Sequence, residues 1–411
     1  MSSGSEEYLI ALDLGSAVTR CAVVCYRPDG GLLLEGYAEY ATRGVARGLV
    51  VDAQGAAASV RAAVEAAASR ARVRVYTVLV SVATPYARGL NSRGCIGIVH
   101  EDKVVRGNDA RQALAAARRI ALPSDRAVAE VYPQGFAVDD VRGVHNPVGL
   151  SGGRLEAEVH VVTDALAGHA NVEQAARRAG YRLEPVVFGP AAAAHVVLSD
   201  EEKDLGGVHA DVGADTTSVT LYAGGYPRFT RVLPVGARHI THDLAVGLNT
   251  SMEEAEKLKR RYGMVDPRRP RRRAATPTAE VPLGDGSTVR SVPLWRIGVI
   301  VRERVDEIFE LVGKELDRSG CSAGASCRAV LTGGFCRMKG ALAAAQRALR
   351  RPVRFARIPM ETTLGQFESD ETHAVVLGTV HRGVHYREQR LDRRFHEGGL
   401  RGLLGRVAGW L

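Results

Sequence analysis

The sequence predicts an α/β protein built from two similar halves around a ligand cleft. Three observations carry this. Apolar strand-like runs alternate with Ala-rich helical stretches along most of the chain, the alternation expected of an α/β sheet. A hairpin with an Asp-x-Gly turn and neighbouring hydroxyls occurs twice, in YLIALDLGSAVTRCAVVCY and, about 200 residues later, in VHADVGADTTSVTLY. Residues 85–162 break the pattern with short strands around one predicted helix, 108–120, and a Gly/Pro cluster, VHNPVGLSGGRL. That texture predicts an inserted subdomain.

Length and composition agree with several subdomains. At 411 residues the chain exceeds what one core usually holds, and 45% apolar with 25% charged residues is ordinary globular composition. The start, MSSGSEEYLIALDLG, lacks a basic segment ahead of its apolar run, so no signal peptide is expected. No window approaches the roughly 18–20 apolar residues of a membrane span. The six cysteines show neither a CxxC nor a zinc spacing. We therefore expect a cytosolic protein with reduced thiols. The net charge of +9 is mostly arginine. Either arginine-rich coding or attraction to an anionic membrane surface accounts for it. Nucleic acid is not an expected partner: the basic run at 266–273 sits among prolines with no aromatic residue beside it.

The order of elements assigns the subdomains. Residues 7–84 form a first subdomain, continued by 163–203 and 371–384, with 85–162 inserted. A second large subdomain covers 204–245 and 318–370, and a small one lies between, at 246–317. Within the small one, helices HITHDLAVGL and SMEEAEKLKRRYG are followed by a hairpin (EVPL-GDGS-TVRSV) and a long helix, 295–317. Residues 385–397 are charged and unpatterned, a predicted linker, and 398–411 form a separate tail.

Paired Asp-x-Gly turns point to a phosphate clamp. Tight glycine turns let backbone N–H groups approach phosphate oxygens, and an acid at each strand end can hold the waters of a Mg²⁺ ion. In the first hairpin these residues are Asp13, Gly15 and Ser16; in the second, Asp211, Gly213, Thr216 and Thr217. Asp13 and Asp211 are the candidate metal-holding pair.

Here the chain resembles the actin/DnaK/sugar-kinase superfamily and, within it, the bacterial FtsA family. LDLGS is similar to the first phosphate motif, DVGADTTSV to the second, and VLTGG to the adenosine motif. LSDEEKDLG, NPVGLSGGRLEAEVHVVT, PVGARHITHDLAVGL and AEKLKRRYG also match, so the resemblance runs over roughly residues 8–385. It implies an actin-like fold of the duplicated ribonuclease H-like kind, an FtsA-type insertion and ATP with Mg²⁺ in the cleft. Gly236 joins the phosphate side, Glu256 and Lys259 face the adenosine, Gly333 and Gly334 pass under it, and Phe335 completes the nucleotide-binding set. The resemblance further implies the C-terminal tail of FtsZ as partner, with Arg296 and Arg304 as contacts, together with other divisome proteins and self-association. The implied location is the cytoplasmic side of the inner membrane at the division site.

Four departures fall in the pocket. Ala214 and Asp215 replace two glycines of the second loop, Phe335 a third glycine of the adenosine loop, and Ala237 the second glycine of Pro-x-Gly-Gly. His195 stands where an acid is common, which makes it the candidate catalytic group. These changes predict at most a slow ATPase, with weak or lost hydrolysis.

The tail, GGLRGLLGRVAGWL, carries its own signal. On a helical wheel Leu400, Leu403, Leu404, Val407, Trp410 and Leu411 fall within an arc of about 120°, with Arg401 and Arg406 beyond its edges. Apolar stripe, flanking cations and a Trp are the pattern of a helix lying in an anionic membrane surface. A core helix and a frayed end are the other readings. The sequence thus favours a membrane adaptor over two alternatives, a turning-over ATPase or phosphotransferase and a PilM-like pilus-assembly ATPase.

Overall fold

The computed structural model describes residues 7–27, 31–265, 277–284, 288–320, 327–358, 361–362 and 369–395, with backbone alone at 361–362 and 388–395. The tail, 398–411, and the whole Arg/Pro run at 266–273 lie outside the described residues.

The first half opens with β1 (Glu7–Leu14), β2 (Val18–Tyr26) and β3 (Leu32–Ala41). Two-residue strands β4 (Val45–Ala46) and β5 (Leu49–Val50) form a small hairpin before α1 (Ala53–Ala71) and β6 (Thr77–Val82). Asp52 starts α1, its carboxylate accepting the Gln54 N–H, as N-cap aspartates do. The insertion follows: β7 (Arg88–Gly97), α2 (Gly107–Ala117), β8 (Arg126–Val138), β9 (Val141–Val144) and β10 (Arg154–Ala165). The chain returns through α3 (Leu166–Ala179), β11 (Arg182–Leu183), β12 (Val187–Phe188), α4 (Gly189–Val197) and α5 (Asp200–Leu205).

The second half repeats the plan of the first. It has β13 (Gly207–Val212), β14 (Thr217–Ala223) and β15 (Tyr226–Leu233). Next come α6 (Ala237–Leu248), α7 (Met252–Tyr262), β16 (Thr278–Pro282), β17 (Val289–Pro293) and α8 (Leu294–Arg318). It closes with β18 (Arg328–Thr332), α9 (Ala341–Leu349) and β19 (Val353–Phe355), after which β20 (Glu361–Thr362) and α10 (Ala374–Phe395) return to the first half. In one half β1 pairs antiparallel with β2 and parallel with β6; in the other β13 pairs antiparallel with β14 and parallel with β18. The duplicated α/β fold expected from the repeated hairpins is therefore present.

Burial follows from strand pattern. The first sheet runs β11-β6-β1-β2-β3-β20, with β12 also on β6. Leu12, Val23 and Val80 pack one face against Val60, Val64 and Val172, while Leu9, Ala22 and Val24 join Ala193 and Leu377 on the other. Sheets covered on both faces read as near-continuous apolar runs, which is how β1, β2 and β6 read.

Two features were not expected. The insertion interrupts the first half, yet β7 pairs with β15 at Arg88 and Arg231, giving one nine-stranded sheet, β19-β18-β13-β14-β15-β7-β10-β8-β9. Buried His160 reinforces the join, its ring nitrogens 2.8 Å from Asn91 Oδ1 and 3.0 Å from Thr230 Oγ1. The second feature is a correction: residues 385–395 of the predicted linker are helical, continuing α10. Between Val384 and Phe395 there is no Gly or Pro, and Arg, Glu, Gln and Leu are good helix formers. At the start of the stretch the described side chains are held: Tyr386 Oη donates to Glu130 of the insertion at 2.8 Å, as Arg382 does one turn earlier, and Arg387 lies 3.6 Å from Glu184.

Candidate functional site

Both predicted aspartates sit near the ends of the inner strands. Asp13 on β1 is in register with Arg20 on β2 and Ser81 on β6; Asp211 on β13 is in register with Ser218 on β14 and Thr332 on β18. Burial pushes the Asp13 carboxyl up to about 6, against the pull of the Arg20 guanidinium 3.5 Å away, and the charge of Asp211 adds to the rise. Asp211 is also raised by burial, opposed by the Thr332 hydroxyl that donates to its Oδ1 at 2.7 Å and by Arg20. Thr332 in turn lies 2.8 Å from Nε2 of buried His209. The two carboxylates, one from each half, thus feel each other across the cleft.

The second turn reaches over to the first half. Asp215 is buried, with Oδ1 3.0 Å from Arg238 Nε and Oδ2 accepting the Arg47 N–H at 2.8 Å. Arg238 also donates from Nη2 to the Ser16 carbonyl at 2.9 Å, and Ser16 Oγ accepts the Gly48 N–H at 3.0 Å. Gly213 donates its N–H to the Thr216 carbonyl at 2.9 Å, closing the turn that carries Asp215.

Backbone segments meet closely here, which explains the glycines. A Cβ on Gly236 would lie 2.7 Å from the carbonyl oxygens of Gly213 and Ala214. Gly333 has φ +91°, and its Cβ would fall 2.4 Å from the Val212 carbonyl, a conformation and an approach that only glycine tolerates. Gly334, in contrast, borders open space.

On the small-subdomain side, Glu256 and Lys259 share one face of α7 and pair at 2.6 Å. Glu256 Oε2 accepts the Thr241 hydroxyl at 2.6 Å, and Lys259 Nζ donates to Thr241 Oγ1 at 2.8 Å and to the Ala237 carbonyl at 3.1 Å. The Lys259, Thr241 and Arg260 donors together hold the Glu256 carboxyl down at about 2, although burial opposes them. Both residues therefore sit beside the start of α6, adjoining the second Asp-x-Gly turn.

Other expected site residues lie elsewhere. Phe335 is 2% exposed and packs edge-on against Phe309 with ring centroids 5.6 Å apart. It fills the core of the second half instead of narrowing the cleft, because an apolar ring gains more from burial there. The Thr217 hydroxyl, fully buried, donates to the Val235 carbonyl at 2.8 Å, so only the Thr216 side of that pair borders the turn. His195 lies in the last turn of α4, where burial pushes it down to about 3, helped by Lys203, His381, Arg382 and His385. Those neighbours belong to α5 and α10, not to the Asp13–Asp211 pair. The end of α4 that adjoins β6 near Asp13 carries Gly189, whose Cβ position lies 3.3 Å from Ser81 Cβ and which has no titratable group. On α8, Arg296 is exposed, whereas Arg304 is tied to Asp243 at 2.6 and 3.0 Å and to Glu307 at 2.6 Å.

Several site residues escaped sequence reasoning. Arg20 had a signal, a lone cation in an apolar strand opposite Asp13 in a two-residue alternation. Arg47, Arg238 and Thr332 had none, since their place depends on how distant segments meet. As a receptor, the cleft fits a divalent cation held through water, because two buried carboxylates with raised affinity for protons would be relieved by one. The glycine-lined turns fit phosphate oxygens, but the Asp215 carboxylate occupies the anion-accepting corner between them.

Sequence comparison decides between the folds that share this cleft. The family model for "Cell division protein FtsA" matches residues 208–378, and that for the SHS2 domain inserted in FtsA matches 85–163. The chain is 33% identical over 350 residues to cell division protein FtsA of Pseudomonas aeruginosa, covering 85% of this chain and 83% of that protein. The chain belongs to the FtsA family. FtsA of Neisseria meningitidis is 31% identical over 356 residues, covering 85% of this chain and 83% of its own length. FtsA of Escherichia coli K12 is 27% identical over 387 residues, covering 91% and 90%. Among solved structures, a PilM–PilN type IV pilus biogenesis complex aligns with TM-score 0.65 at 19% identity, over 92% of this chain and 98% of that one. An MreB of Spiroplasma citri bound to AMPPNP aligns with TM-score 0.52 at 14% identity, over 96% and 99%. At such identities the structures speak for the actin-like fold alone. Family membership makes this chain a cell-division protein.

Proposed function

We propose that this member of the FtsA family is a peripheral membrane adaptor. It holds FtsZ polymers, by their C-terminal tail, at the cytoplasmic face of the inner membrane, and it self-associates in an actin-like manner. Membership of the family, with its own inserted domain, is the observation that carries the reading. The amphipathic pattern of residues 398–411 supports the membrane step. On α8, exposed Arg296 is the cation better placed for an acidic peptide, since Arg304 already serves Asp243 and Glu307.

ATP with Mg²⁺ is the proposed cleft ligand. Asp13 and Asp211 would hold the cation through water, and the turns at Gly15, Gly213 and Gly236 would receive the phosphates. The position of His195 away from these acids, and an α4 start without an ionisable group, support nucleotide as a conformational ligand rather than a rapidly hydrolysed substrate.

The test is a fluorescent fusion in dividing cells, with and without residues 398–411. Mid-cell signal that disperses on truncation fits the adaptor; diffuse signal in both rejects it. Sedimentation with anionic vesicles separates the membrane step from the rest: Leu404→Glu is expected to abolish pelleting, and unchanged pelleting rejects an interfacial helix.

A further inference from the structure

We propose that Arg238 is a phosphate-binding residue of the cleft, and that Asp215 is a built-in anion that holds this guanidinium until nucleotide takes its place. The inference rests on the nucleotide reading above and concerns how that same site is occupied.

The Asp215 side chain is 6% exposed, and each of its oxygens is served from a different direction. Arg238 Nε lies 3.0 Å from Oδ1, from within the second half. The Arg47 N–H reaches Oδ2 at 2.8 Å from the first half. Arg47 and Gly48 both have positive φ, +51° and +72°, and form the two-residue turn between β4 and β5. Successive N–H groups of this turn then donate to Asp215 Oδ2 and to Ser16 Oγ. Successive amides arranged in this way suit an anion. The first turn of α6, which begins at Ala237 and carries Arg238, adds a guanidinium. This corner, lying between the two phosphate-type turns, has the donors an anion needs, and a carboxylate of the chain itself is what they now serve.

Arg238 is free to change partners. Its side chain is 44% exposed, so the guanidinium can turn towards a ligand in the cleft without unfolding α6. Asp215 cannot leave so easily, being carried on the tight turn closed by Gly213 and Thr216. A triphosphate arriving beside Asp215 is repelled by its charge and attracted by Arg238, so binding must draw the guanidinium off the carboxylate. The chain's own anion thus lowers the fraction of molecules ready for nucleotide, and apparent affinity falls by that fraction. The same contacts, with the Arg238 to Ser16 carbonyl bond at 2.9 Å, join the two halves without any ligand.

The experiment is a Mg-ATP titration of the full chain by calorimetry, comparing wild type with Asp215→Asn, Arg238→Gln, and both together. Arg238→Lys serves as a charge-keeping control, and thermal unfolding verifies that each variant is folded. The proposal expects Asp215→Asn to bind about tenfold more tightly and Arg238→Gln about tenfold more weakly. In the Arg238→Gln background the gain from Asp215→Asn should shrink severalfold, because only the carboxylate's own repulsion of phosphate remains to be relieved. Normal wild-type binding with an unchanged or weaker Asp215→Asn overturns the proposal while leaving the cleft reading intact. So does a gain as large without Arg238 as with it. No Mg-ATP binding in any of the folded proteins overturns both.

Discussion

Hairpin β1–β2 and hairpin β13–β14 set an aspartate at the same strand end, yet the two acids are housed differently. Asp13 has a cation for a neighbour, Arg20, which also bonds Glu39 at 2.9 Å. Asp211 has a hydroxyl, Thr332, backed by a buried imidazole. The turns differ more. The first offers Ser16 as acceptor to its own half and to Arg238, whereas the second sends Asp215 across to Arg47. Duplication has kept the acid that a metal would need and let the turns diverge, one receiving bonds and the other reaching out.

The largest expected effect breaks the second hairpin at its roof. Gly333→Ala places a Cβ against the Val212 carbonyl at a left-handed φ, and should cost about 3 kcal/mol in urea unfolding. Gly15→Ala, in the turn of the first hairpin, puts a Cβ 2.8 Å from the Val18 carbonyl at an ordinary φ and should cost about 1 kcal/mol. Equal losses would mean that the left-handed φ of Gly333 adds nothing to the close approach.

Asp13 supplies the next test, measured without divalent cations. Its carboxyl is raised from 3.8 to about 6 in the folded chain. Above pH 6 the native state therefore holds an ionised group that folding disfavours; the deficit shrinks as pH falls and is gone below about pH 4. Asp13→Asn should stabilise the protein by at most about 3 kcal/mol at pH 7 and by nothing at pH 4. Glu256, held down at about 2, has the opposite sign: its contribution is present above pH 4.5 and lost as pH falls towards 2. Glu256→Gln should lower the melting temperature at pH 7, with the gap closing in acid. Parallel pH profiles for the two variants would contradict this account of their surroundings.

A more modest effect than that of Gly333→Ala is expected of Thr332→Val, which removes the hydroxyl serving Asp211. A loss of about 1–2 kcal/mol is expected, the worth of a hydrogen bond to a charged acceptor. No loss would mean that Asp211 does not depend on this hydroxyl as Asp13 depends on Arg20.

How much of this was legible in the sequence depended on range. The duplicated plan, the strand-end acids and the glycine turns were readable because each is written in a few consecutive residues. What the motifs did not reveal is where the Phe335 and Thr217 side chains turn, one to the core beside Phe309 and the other to the Val235 carbonyl. His195 misled for a related reason: its place in α4 was clear, but the helix carries it towards α10 rather than the acids. The join of β7 to β15 and the helical continuation past Val384 were invisible because they depend on partners such as Arg231 and Glu130, far away in sequence. Arg47 and Arg238 belong to the same class.

As proposed above, the two hairpins act as one receptor for a cation and a nucleotide, and calorimetric titration with ATP, in Mg²⁺ and in excess chelator, is the deciding measurement. One nucleotide per chain is expected in Mg²⁺, with much weaker binding in chelator and loss of that Mg²⁺ dependence in Asp13→Asn/Asp211→Asn. Equal affinity with and without Mg²⁺, or a double variant that keeps the full Mg²⁺ effect, would contradict it.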